Sequence, residues 1–196
     1  MYLFFDTETT GLPRNWHAPV TDLANWPRMV QLAWLLQTDA GEPLESGSVI
    51  IRPDGFVIPP DASRVHGITT ERALREGVDL GSALGAFAAA MTRAEVLVAH
   101  NMSFDEMIAG AEFLRTGIDN RLFGMHRFCT MKATTDVCRL PGRYGFKWPT
   151  LTELHQHLFG QAPAVTHDAA ADVEACRACF FELKARGIIS LPGSPA

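Results

Sequence analysis

Two acidic residues stand two positions apart near the start of the chain, in Asp6-Thr7-Glu8. They follow an apolar run over residues 2–5 that predicts a buried strand. Because side chains two apart on a strand leave the same face, both carboxylates would lie side by side. Two buried carboxylates repel each other unless a positive charge lies between them, so the pair predicts a divalent-cation site. Alternatively, the strand ends at Thr7 and water solvates both acids.

Two further acidic residues could complete such a site. Asp105 follows a short apolar strand predicted over 96–99, at the strand end where open α/β sheets bind ligands. On its own, Asp105 fits better as an ordinary acid in the first turn of a helix. Asp172 is in register with the apolar stripe of the last predicted helix, so its carboxylate needs a partner. His167 precedes that helix and could share the site, while Asp168 suits the N-cap.

The elements that must position these residues follow from periodicity and turn signals. Strands are predicted over residues 2–5, 29–37, 48–52, 96–99 and 127–131, the first three as an antiparallel meander. Helices are predicted over 80–94, 104–115 with Ser103 as N-cap, 150–160 from a capping box, and 169–186 before Gly187. Strands first, followed by alternating helices and strands, predict an α/β domain with a mixed sheet.

Three acidic motifs therefore follow one another along the chain, namely Asp6-Thr7-Glu8-Thr9-Thr10-Gly11-Leu12, His100-Asn101-x-x-Phe104-Asp105 and His167-x-Ala169-x-x-Asp172. In order and residue type they resemble the three motifs of the DEDDh 3′→5′ exonucleases, which include the proofreading subunit of bacterial replicative DNA polymerase. The resemblance implies an RNase H-like α/β fold, with a mixed five-stranded sheet flanked by helices. We expect a single exonuclease domain over residues 1–187 and a short C-terminal tail over 188–196.

The resemblance also implies a role for each motif residue. Asp6 would bridge two metal ions, Glu8 and Asp172 would hold the ion that binds the attacking water, and Asp105 would support the other. His167 would act as the general base, because imidazole titrates near the operating pH. The residues implied to contact the terminal nucleotide are Thr9, Thr10, Leu12, His66, Asn101, Met102 and Phe104.

The chemistry of the four carboxylates agrees with these implied roles. Carboxylates offer hard oxygen ligands, which favour Mg²⁺ or Mn²⁺ over zinc. Two such ions about 4 Å apart can hold the attacking and leaving oxygens of an in-line displacement at phosphorus. We therefore expect two divalent cations as cofactors, and nucleoside 5′-monophosphates released from a 3′ end as products.

The net charge of −5 argues mildly against a protein that binds phosphate backbones by bulk attraction. The charge is unevenly distributed, however, because residues 115–147 carry +5 and the remainder −10. Residues 139–148 interleave arginine, lysine and aromatic side chains, a composition that suits phosphate contact and base stacking. The same segment could equally be a solvated loop whose aromatic side chains pack inward. We expect a short grip on a single-stranded or frayed 3′ end rather than a long electrostatic footprint.

Three functions compete at this point. A DNA 3′→5′ exonuclease is favoured over an RNA 3′-trimming enzyme, although recognition of the 2′-hydroxyl cannot be inferred from one sequence. A catalytically silent nucleic-acid-binding module would lack a ligand, whereas all four acids and His167 are present. Only a few residues follow Gly187, so a free-standing enzyme is expected rather than one tethered to a polymerase. A polymerase or repair partner and the oligomeric state stay open.

Several classes are excluded by composition. A chain that is 47% hydrophobic and 20% charged is not disordered. The uncharged, apolar run over residues 80–92 is too short to span a bilayer, and the N-terminus lacks the pattern of a signal peptide. The 4 cysteines are too few for a disulfide scaffold, and the Cys176-x-x-Cys179 pair shares an apolar stripe typical of core thiols rather than zinc ligands. A cytoplasmic location is expected.

Overall fold

A mixed five-stranded sheet forms the centre of the molecule in the computed structural model, which describes residues 1–164 and 167–190. The strands are β1 (Tyr2–Thr9), β2 (Met29–Gln37), β3 (Pro43–Ile50), β4 (Val96–Ala99) and β5 (His126–Cys129). Their order is β3-β2-β1-β4-β5, with β1, β2 and β3 antiparallel and with β4 and β5 parallel to β1. The predicted meander and mixed five-stranded sheet are confirmed.

Helices flank the sheet, and a small hairpin follows its last strand. The helices are α1 (Pro60–His66), α2 (Thr70–Glu76), α3 (Leu80–Arg93), α4 (Met102–Thr116), α5 (Thr130–Ala133), α6 (Thr135–Cys138), α7 (Leu151–Phe159) and α8 (Ala169–Ala185). The hairpin pairs β6 (Pro141–Gly142) with β7 (Gly145–Phe146). None of the helices in the described part of the chain combines the length and apolarity that a bilayer-spanning segment needs.

The central strand β1 sorts its side chains between two helical layers. Leu3 and Phe5 pack in the core that α3 and α4 cover, whereas Tyr2 and Phe4 pack against α8. Alternate residues of a strand point to opposite faces. Asp6 therefore continues the face that α8 covers, and the residue on either side of it continues the other face. This alternation fixes which helix can approach each acid.

The predicted third strand is placed too late in the chain. It was expected over 48–52, but β3 spans Pro43–Ile50, and the amide of Arg52 instead donates to the carbonyl of Val78 (2.8 Å). The first half of this edge strand, Pro-Leu-Glu-Ser, is largely exposed and lacks the alternation of apolar and polar residues that predicts a strand. Gly47 is required here, because a Cβ would lie 2.2 Å from the indole of Trp34.

The expected N-cap of α4 is also wrong. Asn101, not Ser103, occupies the N-cap position, without a side-chain capping bond and with a left-handed φ of 72° that asparagine tolerates better than most residues. Ser103 lies in the first turn and donates its hydroxyl to Asn101 Oδ1 (3.3 Å). The last predicted strand, over 127–131, starts one residue too late and ends two residues too late, since β5 spans His126–Cys129 and Thr130 already opens α5.

Other helix signals are confirmed. Thr150 and Glu153 form both bonds of the capping box, and Gly160 ends α7 with a φ of 76°. The helices α1 and α2 were not predicted, because each has seven residues and too few apolar positions to show a period. Residues 191–196 of the expected tail lie outside the described residues. The boundary between domain and tail at residue 187 stays a prediction. Ile189, which lies beyond this boundary, packs against the core beside α8.

Candidate active site

A cavity of about 360 Å³ opens at the carboxyl ends of β1 and β4. Its wall carries all five residues expected to be catalytic, namely Asp6, Glu8, Asp105, His167 and Asp172. They come from four places in the chain, since β1 supplies two, the first turns of α4 and α8 supply one each, and the segment before α8 supplies His167. The fold thus brings the three motifs together at one edge of the sheet.

Three of these side chains form a tight cluster that could hold a metal ion. Glu8, His167 and Asp172 each offer one ligand atom, and these atoms lie within 4.8 Å of one another. Glu8 lies two residues beyond Asp6 on β1 and so belongs to the face of the sheet that α8 covers, and Asp172 lies on α8 itself. The cluster therefore places two carboxylate ligands and an imidazole around one point in the cavity.

Asp105 reaches the same cavity from the opposite face. Its Oδ1 accepts hydrogen bonds from the backbone amide of Thr7 (3.0 Å) and from the Thr7 hydroxyl (2.8 Å). Thr7 lies between Asp6 and Glu8 in the sequence, so its side chain points towards α4 instead of α8. We did not predict Thr7 as a site residue, although its place between two acids on a strand gave the signal.

The start of α8 positions the third motif. Asp168 Oδ1 caps the helix by accepting from the amides of Ala170 and Ala171, both at 3.1 Å, which confirms its predicted N-cap role. Gln31 of β2 accepts from the amide of Ala169 (3.2 Å) and so ties the helix start to the sheet. His167 has a left-handed φ of 60°, and its amide donates to Asp172 Oδ2 (3.0 Å). This hydrogen bond holds His167 and Asp172 in a fixed position relative to each other.

The four carboxyl groups of the cavity lie close together and largely away from water, so ionisation of all of them at once is unfavourable. Burial raises the pKa of Asp6 well above its usual range, and the charges of the other three acids raise it further. Burial and the neighbouring Asp172 raise the pKa of Glu8 to about 8. Burial raises the pKa of Asp105 to about 7 although Thr7 donates two hydrogen bonds to it. Such a set favours bound cations, because positive charge would let all the acids ionise.

The metal-free protein is therefore expected to lose stability as the pH rises from about 4 to about 8. Where burial raises a carboxyl pKa, the folded state binds more protons than the unfolded chain. The stability that this proton binding contributes is lost as the pH rises through the pKa values of the folded state. Mn²⁺ at one hundred times its dissociation constant should restore about 2.7 kcal/mol. Thermal unfolding in EDTA and in Mn²⁺, at pH 5 and pH 8.5, measures both effects.

A matched pair of variants isolates this contribution from other titrating groups. Glu8→Gln should flatten the pH dependence in EDTA, because it removes one of the crowded charges. Asp54→Asn, at an exposed position outside the cavity wall, should leave it unchanged. If the melting temperature in EDTA rose with pH across this window, the electrostatic account of the site would be wrong.

His100 also lines the cavity, but both of its ring nitrogens form hydrogen bonds within the protein. Its Nε2 is 3.0 Å from the carbonyl of Pro149, which can only accept, so Nε2 carries the proton. Its Nδ1 then accepts from the Thr130 hydroxyl at 2.9 Å. Burial lowers the pKa of His100 to about 4, which keeps this ring neutral. His100 therefore ties the end of β4 to the segment before α7.

Three of the residues expected to contact substrate do lie on the cavity wall, namely Leu12, Asn101 and Phe104. Trp16 joins them, with its ring centroid 5.7 Å from that of Phe104. The wall is completed at the start of α7 by Thr150, Leu151 and Thr152. Sequence reasoning missed Trp16 and these three residues, because only folding brings the loop over 14–27 and the α7 capping box to this edge.

The other four expected substrate residues do not form the cavity wall. The hydroxyl of Thr9 donates to the carbonyl of Gly11 (2.7 Å), and the hydroxyl of Thr10 accepts from the amide of Arg28 (3.0 Å). His66 is buried, and its Nδ1 accepts from the amide of Ile68 (3.1 Å). Met102 packs in the core that α4 covers. These contacts shape the surroundings of the cavity, and their substrate roles stay predictions.

Comparison with known proteins agrees with this geometry. A family model described as Exonuclease, RNase_T, matches residues 3–180. No curated protein sequence matches significantly. Among solved structures, Escherichia coli exonuclease I in complex with a dT13 oligonucleotide is 22% identical, with a TM-score of 0.74 over 94% of this chain and 41% of that chain. The exonuclease I of Methylocaldum szegediense is 20% identical, with a TM-score of 0.71 over 94% of this chain and 40% of that chain.

The solved structures and the family model support different conclusions. The chain spans about 40% of the length of the solved exonucleases, and at these identities their likeness shows the fold. The family model covers most of the chain, including all three acidic motifs. The chain therefore belongs to the RNase_T exonuclease family, which agrees with the resemblance of its three acidic motifs to those of the DEDDh exonucleases.

Proposed function

We propose that this protein hydrolyses the terminal phosphodiester bond at the 3′ end of single-stranded DNA and releases nucleoside 5′-monophosphates. The observation that carries the proposal is the convergence of four carboxylates and an exposed imidazole on one open cavity. Membership of the exonuclease family supports the reaction class. The choice of DNA is supported by the solved exonuclease I complexes with dA16 and dT13 oligonucleotides, which share the fold of this chain.

The carboxylates of Asp6, Glu8, Asp105 and Asp172 would hold two divalent cations, Mg²⁺ or Mn²⁺. Their oxygen-only chemistry and their raised pKa values fit such ions. Asp6 is the proposed shared ligand, because its carboxylate interacts with the charges of all three other acids. When bound, the cations supply the positive charge that stabilises the attacking and leaving oxygens during displacement at phosphorus.

His167 is the proposed general base. Its imidazole lies on the cavity wall beside Glu8 and Asp172, and the bond from its amide to Asp172 fixes the backbone that carries it. As a water oxygen bonds to the terminal phosphorus, the neutral ring accepts the proton of that water. The bond between phosphorus and the 3′-oxygen of the preceding nucleotide breaks, and that oxygen leaves with the electron pair and is protonated by solvent.

The apolar part of the wall is suited to a terminal nucleotide. Leu12, Trp16 and Phe104 present apolar and aromatic surface next to the acids, against which a sugar and a base can pack. Asn101 adds a side-chain amide at the same edge. This arrangement would hold the 3′ end while its phosphodiester bond lies among the carboxylates.

Three substrates at equal concentration test the proposed function, namely single-stranded DNA, a mismatched primer–template and single-stranded RNA, each labelled near its 3′ end. With Mg²⁺ or Mn²⁺, we expect mononucleotides from single-stranded DNA and from the frayed primer end. EDTA should abolish the release. A strong preference for RNA would overturn the choice of substrate, and cleavage without metal would overturn the proposed chemistry.

Thr7→Val is expected to weaken the site without removing any ligand. It deletes the 2.8 Å hydroxyl bond to Asp105 and keeps the backbone bond. Loss of a group that orients a metal ligand typically costs about 10- to 100-fold in metal affinity or activity. The Mn²⁺ concentration for half-maximal activity measures the effect, with Thr92→Val as control because that exposed hydroxyl donates to the carbonyl of Ala89 in α3, away from the cavity wall. An unchanged Mn²⁺ requirement would exclude a positioning role for Thr7.

A further inference from the structure

The hairpin that β6 and β7 form presents its aromatic side chains to solvent. Tyr144 is 89% exposed, Phe146 50% and Trp148 59%. Exposure of three large aromatic side chains within five residues decides between the two hypotheses drawn from the sequence, since these rings do not pack inward. Burial of a large aromatic side chain stabilises a folded protein. A cluster of exposed aromatic side chains is therefore typical of a surface that binds a ligand.

The hairpin is continuous with the active-site cavity. Thr150 lines the cavity, and Trp148 precedes it by two residues, so their Cα atoms are at most about 7 Å apart. Between them, the carbonyl of Pro149 accepts the 3.0 Å hydrogen bond from His100 at the end of β4. The base of the hairpin is therefore anchored to the sheet at the cavity, while its tip projects into solvent.

Cationic side chains accompany the exposed rings. The guanidinium of Arg143 lies 5.1 Å from the ring centroid of Tyr144, and the ammonium of Lys132 lies 5.9 Å from that of Trp148. Lys147 is paired with Glu153 at 2.6 Å. Neither Arg143 nor Lys132 forms an ion pair with a carboxylate in residues 1–164 and 167–190. Their charges are thus available to an anionic ligand beside each ring.

We propose that this hairpin binds the nucleotides that lie upstream of the 3′ end in a single strand. Bases would stack on Trp148 and Tyr144, and the phosphates between them would face Lys132 and Arg143. Exposed aromatic side chains also occur at protein interfaces, but the unpaired cations and the continuity with a nucleotide-sized cavity favour a polyanion. Because bases in a duplex are already stacked on each other, such a surface selects unpaired strands. The inference rests on the proposed function, whose substrate it defines more closely.

The dependence of catalysis on substrate length tests this proposal. We expect Trp148→Ala to lower kcat/KM for a dT12 oligonucleotide by about 5- to 150-fold, the range for one lost stacking contact. The loss should be much smaller for dT2, which offers only one nucleotide upstream of its 3′ end, and Trp148→Phe should recover most of the kcat/KM that Trp148→Ala loses on dT12. Phe159→Ala, which removes an exposed aromatic ring at the far end of α7, should leave both substrates unaffected.

The outcomes separate this proposal from the proposed function. If the wild-type protein cleaves dT12 and Trp148→Ala and Tyr144→Ala cleave it equally well, the hairpin does not bind the strand and its rings serve another partner, such as a protein. An equal loss for dT2 and dT12 would also overturn the proposal, because it would indicate a distorted active site. If the wild-type protein cleaves neither dT2 nor dT12, the proposed function fails. Fluorescence anisotropy with labelled dT12 then tests the hairpin by comparing the affinities of the wild type and Trp148→Ala.

Discussion

Asp6→Asn is expected to reduce release of mononucleotides from single-stranded DNA by about a thousand-fold or more. Asp6 is the carboxylate on which the charges of Glu8, Asp105 and Asp172 all act, so it stands at the centre of the site. Removing a group aimed at the developing charge of a transition state typically costs about 10²- to 10³-fold. A shared metal ligand should cost at least as much, because its loss weakens both proposed cations.

The same substitution should leave the fold intact and, without metal, make it more stable. Asparagine has nearly the shape of aspartate, and it removes one of four crowded carboxyl groups that resist joint ionisation. Thermal unfolding in EDTA at pH 8 should show a melting temperature equal to or above that of the wild type, and Mn²⁺ should raise it less. Loss of activity together with a collapsed melting temperature would instead indicate misfolding.

Asp168→Asn provides the matched control. Asp168 lies close enough to Asp6 to raise its pKa, but its role is to cap α8, and it is not part of the cavity wall. Asparagine caps helices about as well as aspartate. We therefore expect activity within a few-fold of the wild type. If both variants were equally inactive, charge near α8 rather than ligation by Asp6 would explain the loss.

The sequence predicted the parts of the site that depend on local periodicity. Asp6 and Glu8 face one side because they are two apart on β1, and Asp172 faces the cavity because it stands one turn into α8. The bond between Thr7 and Asp105 joins residues 98 positions apart in the chain. No local pattern encodes such a pair, since it depends on how α4 packs on the sheet.

The exposure of the hairpin rings likewise depends on tertiary packing. The composition of residues 139–148 indicates only that basic and aromatic side chains alternate. Whether the rings pack inward depends on what lies beside them, and here the hairpin stands clear of the core. The same holds for Trp16, an ordinary loop residue in sequence that meets Phe104 only in the folded chain.

The uneven charge of the chain has a structural explanation. Four of its acidic residues lie together on the cavity wall, and much of the basic surplus lies between residues 115 and 147, which include the hairpin. Cations bound by the acids would neutralise the wall where a phosphate must sit. A negative net charge is thus compatible with a nucleic-acid substrate that is gripped near its end. The salt dependence of binding should accordingly be shallow once metal is saturating.

His167→Gln is expected to lower kcat by about 10²- to 10⁴-fold, the usual contribution of a general base. The geometry allows two roles for this residue, because its ring nitrogen lies within 4.8 Å of ligand atoms on both Glu8 and Asp172. As a base it would accept the proton of the attacking water, and as a ligand it would hold a cation directly. The loss of activity alone does not separate these roles.

Metal binding separates them. If His167 is the base, His167→Gln should leave the Mn²⁺ concentration for half-maximal activity and the Mn²⁺-induced rise in melting temperature close to those of the wild type. Imidazole added to His167→Ala should then restore part of the rate, since the exposed position leaves room for a small base at the cavity wall. His157→Gln, on the exposed side of α7, is the control and should behave as the wild type. A large rise in the Mn²⁺ requirement of His167→Gln, without rescue by imidazole, would make His167 a ligand and leave the proton to another acceptor.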